Sequence, residues 1–159
     1  MLSHGIVSSA LFLCIGILYD RYHTRLLAYY GGLNFFMPIL SFSFLFFTLA
    51  NVGFPGTSSF IGEFLIILGS FDYNSLAIFF AATSLILGAV FAFYLYNKIF
   101  FGPLNPHLKR FVDVNAREFF ILLPLIIIII SAGIHSNIYF NLVNVPLYNI
   151  INTLKFANF

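Results

Sequence analysis

Twelve consecutive residues, Phe119 to Ile130, carry no charge and no side-chain hydroxyl or amide. A run that does not alternate with polar residues cannot be a strand of a membrane barrel. In lipid the remaining solution is a helix, because every unpaired backbone N–H or C=O would cost several kcal/mol there. Three further apolar blocks share this character. With 61% hydrophobic and 8% charged residues and a mean hydropathy of +1.01, the chain lies far from the composition of a soluble domain. It reads as an all-α integral membrane protein.

The charged residues fall almost entirely between the blocks, which sets the expected organisation. The first span is expected over 2–19, followed by a polar connection over 20–34 that includes Asp20, Arg21, His23 and Arg25. The second block, 35–71, is too long for one uninterrupted span of about 20 residues and contains Pro55-Gly56. The third is expected over 76–101, ending at Gly102-Pro103, and the fourth over 117–134. Four transmembrane helices over 1–134 are therefore expected, with a polar tail over 135–159. In that tail Leu147, Ile150, Ile151 and Leu154 share a helical face after Pro146, the pattern of a short interfacial helix.

If the second block counts as a single crossing, Arg21 and Arg25 lie on the same side as Lys109, Arg110 and Arg117. The positive-inside rule then places loops 20–34 and 102–117 on the matrix or cytoplasmic side, and the C-terminus opposite. The first charge is Asp20, and no basic stretch precedes the opening run, so neither a secretory signal nor a transit peptide is read. The 23 Phe, absent Trp and abundant Ile, Asn and Tyr suggest an AT-biased, organelle-encoded gene.

The stretch Asn51-Val-Gly-Phe-Pro-Gly-Thr-Ser-Ser-Phe-Ile-Gly-Glu-Phe64 concentrates what chemistry the chain has. Proline removes a backbone hydrogen bond and Gly56 permits a tight turn, so two half-helices are expected to meet inside the membrane. Thr57, Ser58 and Ser59 are expected to cap the freed N–H groups of the second half. A kink packed against a neighbouring helix is the ordinary outcome of such a proline, but a carboxylate within two turns of it favours a functional break. Glu63 costs about 2.5–3.5 kcal/mol to place at mid-bilayer, so it calls for a partner or a proton-transfer role.

His4 reads equally as a headgroup-level histidine or as a proton carrier. Lys98, near the end of the third span, can snorkel to the interface, which outweighs a buried relay. Gly5 and Ser9, and Ser84, Gly88 and Ala92, form stripes of small residues suited to close helix packing. Cys14 reads as a small core residue. Neither Arg21, His23 and Arg25 nor His107 and His135 have the spacing of a metal site. No phosphate loop, haem or iron–sulfur ligand set is present, and the weak positive charge carries no stripe suited to nucleic acid.

Several motifs in order, His4-Gly-Ile-Val-Ser-Ser-Ala-Leu-Phe12, Leu18-Tyr-Asp-Arg-Tyr-His-Thr-Arg25, Gly31-Gly-Leu33, Asn51-Val-Gly-Phe-Pro-Gly-Thr57 and Phe60-Ile-Gly-Glu-Phe64, resemble subunit 4 of NADH dehydrogenase. These are antiporter-like, proton-translocating subunits of respiratory complex I, in the mitochondrial inner membrane. The resemblance runs from Met1 to about Ile134 and implies that the four spans correspond to helices eleven to fourteen of the family's fourteen. It also implies that His4 is a central proton-relay group and that Glu63 lies at the end of the proton path. The two basic loops would face the matrix and the C-terminus the intermembrane space.

The resemblance also implies no cofactor in this chain, with NADH, FMN, iron–sulfur clusters and ubiquinone in other subunits. The family's glutamate and lysines of helices five, seven and eight have no counterpart, so the chain is expected to work with a partner supplying the missing helices, as a split gene or a fragment. Antiporter-like subunits 2 and 5 and lipid would be its other neighbours. Gly133-Ile-His-Ser136 departs from the family in lacking a proline. A subunit of a Mrp-type cation/proton antiporter or of a membrane-bound hydrogenase is the nearest alternative. A structural membrane subunit whose Glu63 pairs with a neighbour's cation is another.

Overall fold

The computed structural model describes residues 1–105 and 112–157. Lys109 and Arg110, counted in the charge argument, and His107 lie outside the described residues. Among those described, six α-helices and no strand are present: α1 Leu2–Tyr22, α2 Pro38–Asn51, α3 Ser58–Phe71, α4 Ser75–Phe100, α5 Ala116–Ile134 and α6 Ser136–Ala157. Two short 3₁₀ turns, Leu27–Tyr29 and Leu33–Phe35, shape the connection from α1 to α2.

Three of these helices, α1, α4 and α5, are long and apolar enough to cross a membrane. The second apolar block is instead two helices of 14 residues each, α2 and α3. At 1.5 Å per residue each is about 21 Å long, short of a hydrocarbon core of about 30 Å. The interruption falls at residues 52–57 and contains Pro55-Gly56.

Local chemistry explains the helix boundaries. Pro38 opens α2, and the Asp113 carboxylate, far along the chain, accepts from the N–H groups of Ile39 at 3.0 Å and Leu40 at 3.3 Å. Asn74 caps α4 by accepting from the Ala77 N–H at 3.1 Å. Asn115 and Glu118 form a reciprocal capping box at the start of α5. His23 ends α1 in a left-handed conformation.

The packed core runs along the bundle: Val7 and Ala10 of α1, Ala50 of α2 and Ile129 of α5 belong to it toward the break, and its aromatic part lies at the other end. Cys14, Ile17 and Leu18 of α1 meet Leu40, Phe44 and Phe47 of α2, Tyr96, Ile99 and Phe100 of α4, and Leu122 of α5. Phe44 lies 5.3 Å from Phe100 between ring centroids, and Tyr96 shares a buried hydrogen bond of 2.9 Å with Ser41. Arg21, at the end of α1, completes this end. It donates to Glu118 at 2.8 Å and to the Asp113 carbonyl at 2.7 Å, tying α1 to the start of α5 and to the residue that caps α2. Arg21, expected to be one of several loop charges, is thus a clasp between three helix ends.

Elsewhere the chain is open. No residue of α3 is buried, and the long apolar stretch of α4 is uncovered by this chain. For a membrane helix such exposure carries no hydrophobic penalty, since lipid tails are as apolar as leucine. The tail forms a helix beginning at Ser136, earlier than the pattern from Pro146 suggests, with Pro146 inside it.

Candidate functional site

The site is built where the start of α1, the interruption between α2 and α3, and the end of α5 converge. Along α1 about 28 Å separates Ser3 from Tyr22, and along α5 about 25 Å separates Ala116 from Gly133, at 1.5 Å per residue. The convergence is therefore most of a membrane's thickness away from the Arg21 clasp.

The interruption is shaped by glycine. Gly53 has φ +76° and Gly56 φ +95°, a region that side chains strongly disfavour. Gly53 has a second requirement. The Glu63 carboxylate occupies the space a Cβ at position 53 would fill, its carboxyl carbon 3.1 Å from that point. Glu63, on the second turn of α3, thus folds back into a notch in the break instead of projecting outward. Gly133 of α5 meets the same segment from the other side. A Cβ there would stand 2.7 Å from the carbonyl carbons of both Gly56 and Thr57, and closer still to the Gly56 oxygen.

Pro55 and Gly56 are exposed and Thr57 is buried. Thr57 occupies the N-cap position of α3, but its hydroxyl does not cap the helix as expected. It donates to the Phe54 carbonyl at 2.7 Å, closing the turn of the break. Ser58 and Ser59 do not cap it either. They are the first residues of α3 itself, and both hydroxyls turn to α1, where Ser3 Oγ lies 2.6 Å from Ser58 Oγ and 2.9 Å from Ser59 Oγ.

Glu63 is partly buried and, among the described residues, has no ion-pair partner. His4 is exposed on the first turn of α1, and no hydrogen bond or ion pair joins it to Glu63. The element that brings the α1 start to the break is its neighbour Ser3. Lys98 belongs to the other end of the bundle. It is exposed in the last turn of α4, beside a groove of ≈580 Å³ that Tyr30, Tyr94 and Asn97 also line. Tyr30 there donates its hydroxyl to the Thr24 carbonyl at 2.7 Å, and burial pushes its phenol above the usual range.

Sequence reasoning singled out Glu63, His4 and the break but missed Gly133, Gly53 and Ser3 as parts of the site. A glycine next to the end of an apolar run was the available signal for Gly133. The arrangement holds a carboxyl group in a glycine-lined notch of the break within an apolar helix bundle. Among the described residues, no three His, Cys, Asp or Glu side chains come together as a metal site.

Comparison with known proteins adds ancestry to this geometry. The family model for the NADH:quinone oxidoreductase/Mrp antiporter transmembrane region matches residues 1–91. The chain is 51% identical over 157 residues to NADH-ubiquinone oxidoreductase chain 4 of Marchantia polymorpha, a match covering 98% of this chain and 32% of that protein. It is 46% identical over 144 residues to NADH-quinone oxidoreductase subunit M of Rhodobacter capsulatus, covering 90% of this chain and 28% of the relative. A chain in the structure of respiratory complex I from Thermus thermophilus with bound NADH superposes with a TM-score of 0.78 at 30% identity, covering 84% of this chain and 28% of that one. The chain spans about a third of the length of the curated relatives it matches. With the family model covering its first 91 residues and similarity to chain 4 proteins over nearly all of its own length, the chain belongs to the NADH:quinone oxidoreductase/Mrp antiporter transmembrane family.

Proposed function

We propose that this chain is the C-terminal part of the antiporter-like subunit 4 of complex I, and that it carries part of a proton path coupled to electron transfer from NADH to ubiquinone. Glu63 is the group that exchanges protons within the membrane, and His4 is a relay group on α1. Helices α2 and α3 together make one crossing, interrupted at residues 52–57, so that four crossings correspond to helices eleven to fourteen of the family. Loops 20–34 and 102–117 face the matrix of the mitochondrial inner membrane, and the tail lies on the intermembrane side. The chain itself holds no redox centre. Redox energy arises in other subunits, which hold the FMN, iron–sulfur clusters and ubiquinone site. The rest of subunit 4 supplies the remaining helices, and antiporter-like subunits 2 and 5 and lipid flank it.

The observation that carries this reading is the Glu63 carboxylate turned into the Gly53 notch of the break. A carboxylate held by a glycine-lined break in an apolar bundle is suited to cycling between charged and neutral forms. Lys98 does not share that environment, and interfacial snorkelling accounts for it.

Replacing Glu63 by Gln in the assembled complex tests the reading. The expected outcome is a complex that assembles and oxidises NADH but ejects fewer protons per electron. An assembled complex with an unchanged ratio would overturn it in favour of a structural Glu63.

A further inference from the structure

The groove of ≈580 Å³ beside Lys98 lies where α4 ends, and contacts within the chain hold its walls. The Gly32 N–H donates to the Phe101 carbonyl at 3.2 Å, and the Asn105 side-chain amide donates to the Ala28 carbonyl at 3.2 Å. Gly31 packs on the same turn, where a Cβ would stand 2.8 Å from the Pro103 oxygen. The connection from α1 to α2 is thus held against the end of α4, and two carbonyls of the groove are already engaged. No acidic side chain is among the residues that line it. Lys98, Asn97 and Tyr94 do line it, all three exposed, and among the described residues Lys98 has no ion-pair partner. A cation and two further donors around one groove suit the oxygens of a phosphate.

The face of α4 that carries Lys98 continues along the helix as Tyr94, Phe91 and Leu87, all exposed. At 1.5 Å per residue Leu87 lies about 16 Å from Lys98, close to half of a hydrocarbon core of about 30 Å. That is the depth of one leaflet. These side chains are bulky, whereas closely packed membrane helices meet through small residues. On α4 the small residues Gly88 and Ala92 lie about 80–120° around the helix from Lys98, and they line a different groove, shared with α1 and α2. We infer that Lys98, Asn97 and Tyr94 form a headgroup site for an anionic phospholipid whose acyl chains lie along Phe91 and Leu87. The Lys98 ammonium meets the lipid phosphate, and the amide of Asn97 and the hydroxyl of Tyr94 donate to its oxygens. An anionic headgroup is favoured over a zwitterionic one because the groove offers no carboxylate to a headgroup cation. The inference rests on α4 crossing the membrane and not on any role of Glu63.

The test uses the assembled complex in phosphatidylcholine vesicles that carry a trace of photoreactive phosphatidylglycerol or, in parallel, of photoreactive phosphatidylcholine with the same acyl chains. After illumination the labelled peptides are mapped by mass spectrometry. One basic residue near an anionic lipid surface strengthens attraction about 5-fold, so the segment 87–105 is expected to take up about 5-fold more of the phosphatidylglycerol label. Lys98→Gln is expected to bring the two labels to parity, and Lys98→Arg to keep the preference. Equal labelling of the wild-type segment by both probes would overturn the headgroup site, leaving apolar contact alone. Absence of label from either probe would overturn it in favour of a protein helix covering α4. A preference that survives Lys98→Gln would overturn it as well. Should Lys98→Gln fail to assemble, the two probes on the wild-type complex decide alone. Labelling is read without transport, so it stands or falls separately from proton ejection in Glu63→Gln.

Discussion

Substituting Gly133 by alanine puts the geometry of the break under direct stress. The added Cβ would stand 2.7 Å from the carbonyl carbons of Gly56 and Thr57, with the Gly56 oxygen nearer still. Carbon atoms settle no closer than about 3.5 Å, so the two segments must separate by at least about 0.8 Å, and by more to clear the Gly56 oxygen. All the obstructing atoms are backbone, so no side chain can swing aside. Inserting a methyl group into such a contact costs about 1–3 kcal/mol. Separation of that size also moves the notch that holds Glu63, and a misplacement of about 1 Å at a reacting group can slow a step by about 100-fold. The variant is therefore expected to lower both the melting temperature of the detergent-solubilised complex and its proton ejection per NADH. Gly69→Ala, where the added carbon meets nothing within 4 Å in this chain, serves as the control. Equal behaviour of the two variants would refute the claim that α5 buttresses the break.

Other outcomes follow from the same geometry. Gly53→Ala is expected to cost about 1–2 kcal/mol from its left-handed backbone alone and to expel the Glu63 carboxylate from its notch, so that transport falls further than stability does. Transport at the wild-type level would separate the notch from function. Arg21→Gln removes an ion pair whose partners are only 10% and 14% exposed; the loss is expected at about 1–3 kcal/mol and is read as a lower melting temperature with coupling preserved. Ser41→Ala leaves the buried Tyr96 hydroxyl without its partner, at about 1–3 kcal/mol. The double variant Ser41→Ala/Tyr96→Phe is expected to recover much of that loss.

The hydropathy of the chain made its helices legible because lipid imposes one demand on every spanning segment, whatever its neighbours. The interruption between α2 and α3 falls where Pro55-Gly56 stands in the sequence, since proline cannot continue the backbone ladder of an apolar run. What hydropathy does not encode is which helix faces which. Asp113 caps α2 across 74 positions of chain, and nothing in the local pattern of either segment announces it. Arg21 looked like any loop charge until Glu118 was brought beside it. Thr57 had the right identity and position for a cap, but its hydroxyl donates to the Phe54 carbonyl instead of accepting from the first N–H groups of α3. Ser58 and Ser59 were noticed for capping and turned out to matter through α1. The tail helix begins before the amphipathic pattern does because Ser136 onward carries no strong helix breaker until Pro146.

The clasp of Arg21, Glu118 and Asp113 with the aromatic cluster around Phe44 has a consequence for how this part of the molecule yields. Stability in a protein is distributed unevenly, and regions with few buried contacts open first. Amides at the α1–α2–α5 junction should therefore exchange with deuterium only in rare, large openings. The clasp acts as a footing that holds three helix ends together, so that a displacement of one is felt by the other two.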